Sequence, residues 1–125
     1  MSEATLPVRV LVLEDDPGIA VGLRHLLESR GFVVELADSA ETALERVRRG
    51  RYAIVVADFD LGDQDGATIV RRIRLVQPDL PVLAVTAHDR QPEGFAAEEL
   101  SLQGFLQKPV DPERLLDAVL QFARA

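Results

Sequence analysis

Short hydrophobic runs alternate with longer amphipathic stretches along the chain. The runs lie at residues 8–13, 32–37, 52–57, 81–86 and 104–107. Each is too short for a typical helix, and most are rich in Val, Leu or Ala, so we interpret them as buried strands. In the stretches between them, hydrophobic residues recur at helical spacing, as Ile19, Leu23 and Leu26 do. The pattern therefore predicts strands that alternate with helices.

Capping residues mark where the first two helices begin and end. Asp16 precedes a proline and predicts the N-cap of a helix over residues 17–30, which Gly31 ends. Asp38 and Glu41 have the capping-box spacing in front of the second helix. Both helices thus have a start signal of their own in the sequence.

The last helix is better marked than the fourth. Asp111 and Pro112 repeat the combination of cap and proline that starts the first helix. The segment 87–101 is interrupted by Pro92 and Gly94, so we expect only a short fourth helix there.

Five strand-helix units in succession imply one α/β domain. A parallel sheet with helices on both faces and right-handed crossovers satisfies this order, and 125 residues leave no room for a second folded unit. We predict a single (βα)5, flavodoxin-like doubly wound domain over residues 8–125, with residues 1–7 as an N-terminal extension. The expected strand order is 2-1-3-4-5, with the switch point between strands one and three.

Composition excludes several classes of protein. The chain has 21 acidic and 14 basic residues and a formal charge of -7, which disfavours direct binding to nucleic acid or to an anionic membrane surface. It has no cysteine, so disulfides, thiolate metal sites and cysteine nucleophiles are excluded. No apolar segment approaches the length of a membrane span. We expect a cytoplasmic protein with no membrane insertion.

Polar residues end or directly follow four of the predicted strands. They are Glu14 and Asp15, then Asp58, Thr86 and Lys108. The carboxyl ends of the strands line the ligand crevice of an open α/β sheet, so these side chains should meet there. Crowded carboxylates repel one another unless a hard cation compensates them, and magnesium suits oxygen ligands with room for a phosphate.

The same residues suit phosphoryl transfer. A carboxylate at Asp58 can be a metal ligand, a nucleophile toward phosphorus, or both. Thr86 and Lys108 would supply the hydroxyl and the ammonium that phosphoryl oxygens need. Taken singly, a strand-end Asp is often a loop cap and a Lys is usually on the surface, so it is the combination that indicates function.

The combination resembles the receiver domain of two-component response regulators, and the resemblance covers nearly the whole chain. It is carried by Glu14-Asp15, Asp58, Gly66, Thr86-Ala87 and Lys108-Pro109. It implies a phosphorylation-dependent signalling switch whose Asp58 accepts a phosphoryl group from a phosphohistidine. The donor would belong to a histidine kinase or a histidine phosphotransfer protein.

The resemblance also implies a cofactor and its ligands. Glu14 and Asp15 would hold Mg²⁺, or Mn²⁺, directly or through water. Asp58 and the backbone carbonyl of Asp60 would be further ligands. Lys108 would pair with the phosphoryl group, and the peptide bond that follows it would be cis. Such a domain catalyses its own phosphorylation and dephosphorylation and is not a turnover enzyme on an exogenous substrate.

Two residues match the switch of this family. Thr86 would turn its hydroxyl toward the phosphoryl group, and Phe105 would move inward behind it. Phe105 lacks the phenolic hydroxyl that a Tyr would offer to a partner. The alternative is that Phe105 is a fixed core residue.

Three further positions bear on the comparison with this family. Gly62 stands where a proline is common and loosens the loop after Asp58. Asp60 and His88 lie two residues after Asp58 and Thr86, at positions that in this family tune the lifetime of the phosphoryl group. We expect Asp60→Asn to change the dephosphorylation rate.

Other functions stay open at this point. A degenerate receiver would bind partners without being phosphorylated. Asp58-Phe59-Asp60 after a strand also fits a phosphatase similar to the haloacid dehalogenase superfamily, although two strand-helix units precede it here. The acidic loop after strand one disfavours flavin binding.

Partner surfaces are less well defined by the sequence. The face made by the fourth helix, the fifth strand and the last helix would serve output or a homodimer. An end at residues 122–125 fits a stand-alone regulator and an excised domain equally well.

Overall fold

A computed structural model of the chain describes residues 8–61, 66–87 and 104–123. Five strands and four helices lie within these ranges. The strands are β1 (Arg9–Leu13), β2 (Val33–Ala37), β3 (Ile54–Asp58), β4 (Val82–Thr86) and β5 (Gly104–Gln107). The helices are α1 (Pro17–Glu28), α2 (Ala40–Arg49), α3 (Gly66–Val76) and α4 (Pro112–Phe122). The predicted alternation of strands and helices is confirmed for these elements.

The strands form one parallel sheet in the order β2-β1-β3-β4-β5. This is the predicted doubly wound order, with β1 and β3 adjacent at the centre. Leu13 pairs with Ala57 across that central boundary, and Asp58 pairs with Val85 on the next strand. The register therefore brings the carboxyl ends of β1, β3 and β4 level with one another.

Alternate residues of the central strands pack into two separate hydrophobic cores, one on each face of the sheet. On one face Leu11, Val55 and Ala84 pack with α2 and α3. On the other face their neighbours, such as Val12 and Val56, pack with α1 and α4. Because side chains of a strand point to opposite faces in turn, a continuous apolar run is needed to fill both cores. That requirement explains why the central strands have no alternating polar positions.

The first helix ends two residues earlier than predicted. α1 stops at Glu28, and Ser29 is its C-cap, with a hydroxyl that donates to the Leu26 carbonyl over 2.6 Å. The amides of Arg30 and Gly31 bond only three residues back, which tightens the chain into a turn. Gly31 then adopts φ 91°, a left-handed conformation that favours glycine. The stop signal was read correctly, but the prediction over residues 17–30 was too long.

The cap of the second helix was assigned to the wrong residue. Ser39, and not Asp38, is the N-cap of α2, since its hydroxyl accepts the Thr42 amide over 3.2 Å. Asp38 is exposed. A serine one position closer to the first turn can reach that amide, and a capping box from Asp38 to Glu41 is therefore not formed.

The predicted bounds of the third strand also differ from those in the structure. β3 begins at Ile54 rather than at residue 52, and it includes Asp58 as its last residue. The short fourth helix expected in the segment 87–101 falls outside the described residues except for residue 87, and the N-terminal extension, residues 1–7, falls wholly outside them.

The described helices are all short. The longest, α1, has 12 residues. Within residues 8–61, 66–87 and 104–123, no helix has the length and apolar character needed to cross a membrane.

A close contact fixes the start of α3 behind the end of β3. A Cβ added to Gly66 would lie 2.1 Å from Cγ of Phe59 and within 2.5 Å of its ring carbons. Phe59 is buried and meets the edge of the Phe105 ring, with centroids 6.2 Å apart. Gly66 is therefore required for close packing next to the residue that follows Asp58.

We predict that Gly66→Ala lowers the free energy of unfolding by about 1 to 3 kcal/mol, because the added methyl group overpacks the Phe59 ring. Urea denaturation followed by circular dichroism measures the loss. In a Phe59→Ala background the same substitution should lower the free energy of unfolding much less, since the ring that the added methyl group would overlap is absent.

Gly22→Ala is the matched control. Nothing lies within 4 Å of a Cβ added to Gly22, in the middle of α1. It should raise the free energy of unfolding by about 0.5 to 1 kcal/mol through helix propensity. An equal loss for Gly66→Ala with and without Phe59 would contradict the packing argument.

Candidate functional site

Three buried polar side chains mark the carboxyl edge of the sheet. Among the described residues, the buried polar or charged ones are Glu14, Asp58 and Thr86, each with less than 5% of its surface exposed. They lie at the ends of β1, β3 and β4. Burying polar groups at adjacent strand ends is unfavourable without partners, so their convergence indicates a site rather than a core position.

Backbone hydrogen bonds between neighbouring strand ends hold these residues in place. The Glu14 amide donates to the Ala37 carbonyl over 2.9 Å, and the Phe59 amide donates to Val85 over 2.7 Å. The Lys108 amide donates to the Thr86 carbonyl over 2.8 Å. The site is thus built on the sheet itself, although its residues are far apart in sequence.

Carboxylates of three residues lie close together in the site. One oxygen each from Glu14, Asp15 and Asp58 lies within 4.8 Å of the others. Burial raises the pKa of Glu14 to about 7; the Asp16 amide, which donates to Glu14 over 3.1 Å, opposes this, while Asp58 adds to it. Such a group of oxygen ligands fits a hard divalent cation, whose charge would relieve the repulsion.

Lys108 supplies the positive charge that faces Asp58. Its Nζ lies 3.0 Å from Oδ1 of Asp58 and 3.6 Å from Oδ2 of Asp60. Burial lowers the pKa of Lys108, but its hydrogen bond to Asp58 and the nearby carboxylates outweigh burial and raise the pKa. The ammonium therefore stays charged. The Lys108–Pro109 peptide bond is cis, as the resemblance implied.

Asp60 makes contacts that the sequence did not predict. Its Oδ1 accepts the Thr86 hydroxyl over 3.2 Å, and its Oδ2 accepts the Ala87 amide over 2.7 Å. Its own amide donates to Oδ1 of Asp58 over 2.8 Å. From the sequence we expected only that its backbone carbonyl would be a Mg²⁺ ligand and that the residue would affect the lifetime of the phosphoryl group. Asp60 and Thr86 are 26 residues apart, so no local pattern signals their hydrogen bond.

The remaining predicted residues lie at or beyond the margin of the described site. Phe105 is partly buried, and it packs against the core that contains Phe59. This arrangement is compatible with a moving aromatic and with a fixed one, so the role of Phe105 stays a prediction. Gly62 and His88 fall outside the described residues.

A cavity of about 580 Å³ opens beside the site, between α1 and the start of α4. Asp58, Glu14 and Lys108 contribute to its lining, and the rest is largely apolar, including Ile19 and Leu23. The arrangement can therefore bind a cation, present a carboxylate oxygen as a nucleophile, and hold an anion with Lys108 and Thr86.

Comparisons with known proteins agree with this geometry. The sequence model of the family described as the response regulator receiver domain matches residues 10–120. The chain is 34% identical over 113 residues to the transcriptional regulatory protein GlrR of Escherichia coli K12, covering 90% of this chain and 26% of that protein. It is 36% identical over 111 residues to the response regulator MprA of Mycobacterium sp. KMS, covering 89% of this chain and 48% of that protein. The chain thus spans about a quarter to a half of these relatives.

A solved structure supports the fold independently. The chain superposes on a CheY-like response regulator receiver domain protein from Methanospirillum hungatei JF-1 with a TM-score of 0.86. The two are 22% identical, and the match covers 93% of each chain. With the family match over most of its length and the site at its sheet edge, the chain belongs to the response regulator receiver domain family of two-component systems.

Proposed function

We propose that the protein is a phosphorylation-dependent switch whose Asp58 accepts a phosphoryl group from a phosphohistidine in a Mg²⁺-dependent reaction. One observation carries this proposal: the Asp58 carboxylate belongs to a group of three carboxylates that suits a cation and also lies 3.0 Å from the ammonium of Lys108. Phosphoryl transfer depends on such positioning and charge compensation more than on covalent help from the protein.

The proposed transfer exchanges one bond to phosphorus for another. An oxygen of Asp58 attacks the phosphorus atom, and an acyl phosphate P–O bond forms as the P–N bond to the donor imidazole breaks. The imidazole leaves with the electron pair of that bond and takes up a proton. We expect Lys108 and the Thr86 hydroxyl to contact the transferred oxygens; their contacts with the Asp58 and Asp60 carboxylates support this.

Glu14, Asp15 and Asp58 are the residues we propose to hold Mg²⁺, or Mn²⁺, with the Asp60 backbone carbonyl. The closeness of their oxygens and the raised pKa of Glu14 support this assignment. When bound, the cation would neutralise negative charge on the phosphoryl oxygens.

The partners follow from the family. We propose a histidine kinase or a histidine phosphotransfer protein as donor, and a cytoplasmic location for the exchange. One relative is named a transcriptional regulatory protein and another a response regulator, and both are longer than this chain. An output partner or a homodimer would use the face that includes β5 and α4.

Intact mass spectrometry tests the acceptor. Incubation with Mg²⁺ and a phosphoramidate, which has the P–N bond of phosphohistidine, should add one phosphoryl group to the wild-type protein. Asp58→Asn should gain none, and EDTA should prevent labelling of the wild type. Asp117→Asn makes the same charge change on the exposed side of α4 and should be labelled normally.

Labelling of Asp58→Asn would move the acceptor to another residue. Absence of labelling with phosphoramidate and with a purified donor kinase would favour a phosphorylation-independent binding module. Steady turnover of a simple phosphate ester would favour the phosphatase.

Calorimetric titration with Mg²⁺ tests the cation site through two substitutions that should change the Mg²⁺ affinity in opposite directions. Asp15→Asn removes a carboxylate and should weaken Mg²⁺ binding on the order of tenfold, since charges about 4 Å apart interact by about 1 to 4 kcal/mol. Lys108→Gln removes a positive charge near the same carboxylates and should tighten binding. Equal affinities in all three proteins would contradict the assignment.

A further inference from the structure

The Asp60 side chain lies across the site and holds its donors. Its two carboxylate oxygens accept the Thr86 hydroxyl over 3.2 Å and the Ala87 amide over 2.7 Å. The Lys108 ammonium lies 3.6 Å from Oδ2 of Asp60. About a quarter of the Asp60 side chain is exposed, so the carboxylate is at the mouth of the site rather than sealed inside it.

These three contacts come from three kinds of donor: a hydroxyl, a backbone amide and an ammonium. A phosphoryl group on Asp58 needs donors of the same kinds for its peripheral oxygens. A carboxylate is also a planar anion with two acceptor oxygens. In the unphosphorylated protein, the Asp60 carboxylate therefore occupies the hydrogen-bond donors that a phosphoryl group on Asp58 would need.

We propose that the Asp60 carboxylate is an internal competitor for the phosphoryl group, a positioning residue that must release Thr86, Ala87 and Lys108 when Asp58 is phosphorylated. This inference rests on the proposed function of Asp58. It goes beyond an effect on phosphoryl lifetime, because it concerns the unphosphorylated state and the affinity of the site for an incoming anion.

The local geometry makes the exchange feasible. The Asp60 amide donates to Oδ1 of Asp58 over 2.8 Å, so the backbone is anchored to the acceptor independently of the side chain. Rotation of the Asp60 side chain can then vacate the donors without moving the strand end. The partial exposure of Asp60 lets the released carboxylate be solvated.

Competition has two physical components that substitutions separate. Asp60→Asn removes the negative charge but keeps an oxygen that can accept from Thr86 or Ala87. Asp60→Ala removes both the charge and the acceptors. A graded response from wild type to Asn to Ala would show that charge and hydrogen bonding both oppose the anion.

Fluoroberyllate binding at saturating Mg²⁺ is the test, since this anion mimics a phosphoryl group on a carboxylate. We expect Asp60→Asn and Asp60→Ala to bind it on the order of tenfold or more tightly than the wild type does, because no anion or hydrogen bond must be displaced. Asp117→Asn, with the same change in net charge, should bind as the wild type does.

The amide resonance of Ala87 gives a second readout that a merely structural role of Asp60 would not move in this pattern. Without Mg²⁺ or fluoroberyllate, it should differ between the wild type and Asp60→Ala, since the carboxylate acceptor is lost. With fluoroberyllate bound, the resonances should converge, since the same anion then accepts the amide in both proteins.

The outcomes separate this inference from the proposed function. Binding by the wild type with no gain in either Asp60 variant would overturn competition and leave the acceptor role of Asp58 intact. Binding by Asp60→Ala but not by the wild type would be the strongest support. No binding by any of the proteins, with no labelling of Asp58, would overturn both proposals.

Discussion

Like charges buried at the ends of adjacent strands are the constraint on which the site depends. Glu14 and Asp58 are almost fully buried, so solvent screens little of the repulsion between their carboxylates. The ammonium of Lys108, 3.0 Å from Asp58, offsets part of it. Burial, with a smaller contribution from Asp58, raises the pKa of Glu14. A divalent cation bound among these carboxylates would relieve the repulsion between them. Backbone hydrogen bonds from the amides of Glu14, Phe59 and Lys108 to neighbouring strands hold these charged residues in position.

The strand order brings the polar side chains of the candidate site together. Placing β1 next to β3 brings Glu14 and Asp58 together, and placing β4 and β5 beyond them brings Thr86 and Lys108 to the other side of Asp58. The proposed cation ligand Glu14 and the proposed anion donors are thereby separated, with Asp58, the proposed acceptor, between them. Asp60 follows Asp58 by two residues, and its side chain accepts the Thr86 hydroxyl, so the proposed acceptor and its proposed competitor both lie at the end of β3.

Much of this arrangement could be predicted from the sequence because its determinants are local or topological. Apolar runs placed the strands, the alternation of elements gave their order, and polar residues after the runs identified the edge that holds the site. The end of α1 was predicted too late because the chain tightens into a turn at Arg30 and Gly31. The cap of α2 was misassigned because Ser39, and not Asp38, accepts the Thr42 amide. Both details depend on the geometry of a single turn.

What could not be predicted depends on tertiary contact. The hydrogen bonds of Asp60 with Thr86 and Ala87 join segments that only the finished sheet brings together. The requirement for glycine at Gly66 was visible as a motif, but its cause, the Phe59 ring, is a packing contact. The lifetime effects expected of Asp60 and His88 stay predictions.

The most direct test of the account is to locate the phosphoryl group chemically. After phosphorylation with Mg²⁺ and a phosphoramidate, borohydride reduces an acyl phosphate to a primary alcohol, and peptide mass spectrometry identifies the altered residue. The account predicts conversion of Asp58 alone. Conversion of Asp60 or Asp15, or a phosphoryl group that resists reduction, would contradict it.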